Sequence, residues 1–93
     1  VKTDVLERLW AVIEDRKRNR IDGSYTCRML DDRKRLEEKL AEECSELLKS
    51  KKKTGKDSVT WEAADLLYHM MVYLSLRDVG FDEVLEELEG RMK

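Results

Sequence analysis

Two short stretches, "EECSE" at residues 42–46 and "EAAD" at residues 62–65, set carboxylates at helical spacing. Positions three or four apart share a helix face, so Glu43 and Glu46 project together, as do Glu62 and Asp65. Four or five carboxylates converging in a small volume repel strongly. Two unit charges about 4 Å apart cost about 4 kcal/mol even at an effective dielectric of about 20. Bound cations reverse that cost, and all-oxygen ligation suits Mg²⁺ or Mn²⁺, whereas Zn²⁺ recruits His or Cys. Mg²⁺ commonly keeps some waters and binds substrate phosphates as well, so the pattern predicts a polyphosphate ligand and metal-assisted hydrolysis. Arg35 and Lys39 precede Glu43 by two turns and one turn on the same face, where they can engage phosphate oxygens. Glu42, Glu43 and Glu46 are all candidate general bases, and their spacing does not choose among them.

These side chains need two helices to hold them. The pattern predicts one helix from about Asp31 or Asp32 to Lys52, with Leu36, Leu40, Cys44, Leu47 and Leu48 as its apolar face. A second runs from Asp57 or Ser58 to about Arg77, and there apolar residues fill most positions instead of one stripe. The eight-residue connection from about Lys49 to Lys56 suits an antiparallel hairpin that faces the two acidic pairs across one interface. An earlier helix, Asp4 to Arg18, carries Val5, Leu6, Leu9, Trp10, Val12 and Ile13 as its stripe, and "NRIDGSYTC" breaks it with turn formers. Gly80 precedes a last helix in which Val84, Leu85, Leu88 and Met92 form a stripe and Asp82 sits near the N-cap. No proline, alternating β-branched run or fixed-period repeat interrupts this all-α reading.

Ninety-three residues make one domain, and a chain so short buries only about 60 to 65% of its unfolded surface. The helix from Val59 to Leu76, apolar nearly all round, must be covered nearly all round, which predicts a homodimer with this helix in its interface. Charge is abundant but close to balanced, 21 acidic against 19 basic residues, so no global field favours nucleic acid or an anionic membrane. No run approaches the roughly 18 apolar residues of a membrane span, and "VKTDVLERLW" lacks a signal-type apolar stretch. Cys27, in the loop, and Cys44, in a helical pattern, have neither metal-site nor disulfide-scaffold spacing and read as free thiols. The expected setting is cytoplasmic.

Bland readings weigh against several features. An ExxE pair in an acid-rich chain is usually a solvated face, but Glu62 and Asp65 interrupt the most apolar helix, where an unpaired charge is costly. "KSKKKTGK" complements the negative end of a helix as readily as it attracts a triphosphate. Trp10 belongs to an apolar stripe and reads as core, whereas Tyr25, in its loop, is the better candidate to stack on a base. For His69 three roles stay open: contact with substrate, a donor that orients a ligand carboxylate, or a hydrogen-bonded core histidine. A covalent mechanism is disfavoured, because this single histidine has no serine or cysteine partner at recognisable spacing.

ExxE, a fifteen-residue gap and then ExxD resembles the signature of the all-α nucleoside triphosphate pyrophosphohydrolases, which include MazG-like and dimeric dUTPase-like enzymes. More specifically, "GSYTCRML", "RLEEKLAEECSEL" and "EAADLLYHMMVYL" look like successive motifs of the phosphoribosyl-ATP pyrophosphohydrolases of histidine biosynthesis, over nearly the whole chain. The resemblance implies a four-helix MazG-like fold assembled as a helical-bundle dimer. It also implies Mg²⁺ ligation by Glu43, Glu46, Glu62 and Asp65, with Glu42 in the same acidic cluster. Lys39 and Arg35 match basic positions that face substrate phosphates, and Ser24, Tyr25 and Thr26 match a substrate-binding loop motif. Ala41 stands where the family usually has glycine, and Cys44 where it usually has alanine or glycine; both changes are small. The implied reaction is hydrolysis of phosphoribosyl-ATP to phosphoribosyl-AMP and pyrophosphate. The rivals are a house-cleaning hydrolase of other nucleoside triphosphates, which needs the same metal cluster, and a non-catalytic helical dimerisation module.

Overall fold

The computed structural model describes residues 1–50 and 58–92. All regular structure among them is helical: α1 (Asp4–Arg18), α2 (Tyr25–Asp31), α3 (Arg33–Lys49), α4 (Ser58–Leu76) and α5 (Phe81–Arg91). The chain is all-α, and its described residues form five helices where four were expected. The extra element, α2, arises inside the stretch read as a loop. Gly23 turns the chain at φ +84°, and the Ser24 hydroxyl then accepts from the Cys27 N–H at 3.2 Å, capping a seven-residue helix. Asp32 leaves helical geometry at φ −137° and starts α3 by accepting from the Arg35 N–H at 3.1 Å. Of the two caps proposed for this helix, Asp32 is therefore the one used. The other end of α3 falls at Lys49, short of Lys52. Lys51, Lys52, Lys53, Lys56, Gly55 and the alternative cap Asp57 lie outside the described residues.

α3 and α4 form the most extensive helix pair. Glu37 meets Tyr73 while Glu43 meets Glu62 and Asp65, so the two run antiparallel, as the hairpin reading required. Ile13, Met29, Leu36, Met71 and Val72 form the core, and Trp10 packs against it, stacked on Phe81 at 5.7 Å between ring centroids. The lower end of α1 is pinned to α4 by Lys17, whose ammonium donates to the Ser75 carbonyl and pairs with Asp78 at 2.6 Å. That contact holds Asp78 at φ 58°, a left-handed conformation that Asp tolerates better than most residues. α5 is capped at Gly80 by Glu83, whose carboxylate accepts the Gly80 N–H at 2.8 Å; Asp82 lies in the first turn, near the cap as expected.

Several face assignments need correction. Val5 and Val12 are exposed because they sit about 80 to 100° around α1 from Ile13, at the margin of its stripe. Cys27 is buried in α2 rather than lying in a loop, while Cys44 and Leu48 face outward from α3. Both thiols are free. α4 buries His69, Met71, Val72 and Ser75 yet exposes Val59, Trp61, Leu67 and Met70. Its nearly continuous apolar sequence is thus only half used within one chain.

Candidate active site

The antiparallel α3–α4 pair brings Glu43 from one helix against Glu62 and Asp65 from the other, with one oxygen of each carboxylate within 4.8 Å of the others. Glu43 is only 7% exposed. Burial, the neighbouring Glu43 charge, a hydrogen bond with Glu43 and the charges of Asp65 and Glu46 all push the Glu62 carboxyl above its ordinary value. That is the signature of anionic groups held closer than they would choose in water. Glu46, one turn beyond Glu43, is exposed; it acts on Glu62 through its charge without joining the close trio. Glu42 is also exposed and pairs with Lys39.

Among the described residues, Lys39 forms an ion pair with a member of the trio. Its Nζ lies 3.2 Å from Glu42 Oε1 and 3.3 Å from Glu43 Oε1. Burial works against the Lys39 charge, but its bonds to Glu42 and Glu43 outweigh that and hold its pKa above the usual lysine value. Arg35, by contrast, turns to Glu38 at 3.5 Å on the exposed flank of α3.

The α2 motif lies against α4 immediately after Asp65. His69 is 5% exposed. Its Nδ1 lies 2.8 Å from the Asp65 carbonyl, which only accepts, so Nδ1 carries the proton. In the neutral ring Nε2 is then an acceptor, and the Tyr25 hydroxyl donates to it at 2.8 Å. The neighbouring pair repeats the contact: the Thr26 hydroxyl bonds the Tyr68 hydroxyl. Ser24, Tyr25 and Thr26 therefore spend their hydroxyls on a helix cap and on two ties to α4. Tyr68 and the pairing of adjacent residues on α2 with adjacent residues on α4 were missed from sequence, because no local spacing signals a contact across more than forty residues.

The donor set fits a hard divalent cation. It is all oxygen and concentrated on two rigid helices, while both His69 nitrogens are engaged by protein groups. The trio is thus a candidate metal cluster whose chemistry matches Mg²⁺ or Mn²⁺ better than Zn²⁺.

Comparison with known proteins gives the same direction. The family model described as phosphoribosyl-ATP pyrophosphohydrolase matches residues 6–92. A phosphoribosyl-ATP pyrophosphatase of Methanocella arvoryzae is 42% identical, covering 97% of this chain and 98% of that protein. One from Methanococcoides burtonii is 38% identical over 94% of this chain and 91% of its own length. Another, from Ignicoccus hospitalis, is 41% identical over 98% and 90% respectively.

Proposed function

The chain belongs to the phosphoribosyl-ATP pyrophosphohydrolase family, and on that footing we propose how its residues carry the family reaction. The reaction is hydrolysis of phosphoribosyl-ATP to phosphoribosyl-AMP and pyrophosphate, a step of histidine biosynthesis, and the whole chain serves as one catalytic domain. The observation that carries the assignment of the site is the Glu43, Glu62 and Asp65 trio, built across two helices of a chain matched by the family from residue 6 to residue 92.

Glu43, Glu62 and Asp65, with Glu46 beside them, would hold Mg²⁺, and Mn²⁺ suits the same oxygens. The ion supplies charge neutralisation at the phosphates undergoing cleavage. Lys39 adds a positive charge beside the carboxylates, and Arg35 stands one turn further out for the more distant phosphate oxygens. A carboxylate of the Glu42, Glu43 and Glu46 group takes the proton from the attacking water; the exposure of Glu46 beside Glu62 favours it for contact with solvent. Tyr25, Thr26 and His69 act by fixing α2 against the carboxylate helix, and Ser24 by capping α2. The position of α2 against α4 is thereby fixed.

A second copy of the chain covers the exposed side of α4. Val59, Leu67 and Met70 give that face its apolar character, and no described helix is long and apolar enough to cross a membrane. Nucleic acid is not an expected partner, given the balanced charge.

The test is pyrophosphate release from phosphoribosyl-ATP and from ATP, side by side in Mg²⁺. Preference for phosphoribosyl-ATP is expected, because polar groups that bind the extra sugar phosphate are left unpaired by a substrate lacking it. Turnover of ATP or other triphosphates with none of phosphoribosyl-ATP would favour the house-cleaning alternative.

A further inference from the structure

We infer that Lys39 is a tethered counter-ion that a divalent cation must displace from Glu43, so that cation binding and phosphate recognition are coupled through this one side chain. The inference rests on the reading of Glu43, Glu62 and Asp65 as a cation site. Lys39 Nζ is 3.3 Å from Glu43 Oε1, and the two side chains are 18% and 9% exposed. The pair is one turn apart on a single helix, so the backbone keeps the ammonium within reach of the carboxylate even when it is displaced.

A carboxylate oxygen ligating Mg²⁺ stands about 2.0 to 2.1 Å from the ion, which brings an ammonium on the same carboxylate within a few ångström of a double positive charge. Like charges at that range repel strongly even at an effective dielectric of about 20. Lys39 has a fallback: Glu42, 3.2 Å away and 51% exposed, lies toward solvent and is not one of the trio. Phosphate oxygens offer it a further partner. Cation binding alone therefore forces Lys39 off Glu43 against its attraction, whereas cation and phosphate together give the released ammonium a new counter-charge. The cation and the phosphate ligand should each strengthen binding of the other, and the coupling should weaken when the Lys39 charge is removed.

The experiment is calorimetric titration of Mn²⁺ into the whole chain, with and without inorganic pyrophosphate. It compares wild type with Lys39→Met, Lys39→Arg and Glu43→Gln, with helicity checked by circular dichroism. Lys39→Met should bind Mn²⁺ about tenfold more tightly than wild type when pyrophosphate is absent, since a like charge has gone. Pyrophosphate should then tighten Mn²⁺ binding less than it does in wild type, while Lys39→Arg should keep the wild-type pattern. If Lys39→Met does not fold, Lys39→Gln carries the same expectation. Equal or weaker Mn²⁺ binding without the lysine charge would mean that Lys39 organises the carboxylates instead of competing for them, and would overturn the inference. Undiminished coupling to pyrophosphate would do so as well. Glu43→Gln separates the two levels: if it binds Mn²⁺ as wild type does, the cation site is misassigned and the inference falls with it.

Discussion

At the scale of single residues, the carboxylates differ from the other acidic groups in being crowded across two helices, and the consequences follow from that crowding. Mg²⁺ should stabilise the wild-type chain, because a ligand that binds only the folded form at about 100 times its dissociation constant adds about 2.7 kcal/mol. Glu43→Gln and Asp65→Asn should lose most of that increment in thermal melts with and without Mg²⁺; an undiminished rise in Tm would remove both residues from the site. His69 has a different task. His69→Ala leaves the half-buried Tyr25 hydroxyl without the acceptor it meets at 2.8 Å, a loss of about 0.5 to 1.5 kcal/mol for the bond, measurable by urea denaturation. The ExxE and ExxD pairs were legible because helical spacing alone puts each pair on one face. The role of His69 was not, since its partners are a hydroxyl on another helix and a carbonyl one turn back.

The helices show where sequence periodicity suffices and where it fails. α1, α3 and α4 were readable from apolar spacing and caps, whereas α2 was masked by Asp22, Gly23 and Ser24, a cluster that serves equally as a loop and as the start of a short helix. Ser24→Ala should remove the cap on Cys27 and cost about 1 kcal/mol, read from the denaturation midpoint. The other end of the α3–α4 pair is held by Glu37, which accepts from Arg33 Nε and from the Tyr73 hydroxyl, each at 2.9 Å. The Arg33 bond, then the Tyr73 bond, lower the Glu37 pKa in the folded chain. A carboxyl depressed on folding contributes stability that is fully present above its unfolded value, about 4.3, and is lost as pH falls through the lower folded value. Wild type should therefore exceed Glu37→Gln in stability at neutral pH, and the gap should close in that acidic window; a gap independent of pH would contradict the ionic account. Cys44 and Leu48 expose the limit of face assignment, because an apolar stripe reports burial somewhere without saying whether its own chain provides it.

For the whole molecule, that ambiguity becomes a statement about assembly. Adjacent methionines on α4 have opposite fates: Met71 is fully buried in the core, while Met70 is 41% exposed on the side of the helix that also carries Val59 and Leu67. Met71→Asp should unfold the chain by placing a charge in the core, whereas Met70→Asp should yield a folded, dissociated protomer if a second copy covers this face. Sedimentation at micromolar concentration distinguishes them, and a wild-type chain that sediments as a well-folded monomer would refute the dimer. Catalysis joins all three scales, since the antiparallel pair must present its carboxylates, the α2 ties must hold, and the substrate must bring its phosphates to them. The most direct test is pyrophosphate release from phosphoribosyl-ATP as Mg²⁺ is titrated, for wild type, Glu43→Gln and Asp65→Asn at matched helicity. The account predicts saturable, chelator-sensitive turnover by wild type and, in each variant, a loss at least as large as the roughly 10- to 100-fold that altering a group behind a metal ligand costs. Wild-type rates from either variant, or turnover indifferent to removal of divalent cations, would contradict it.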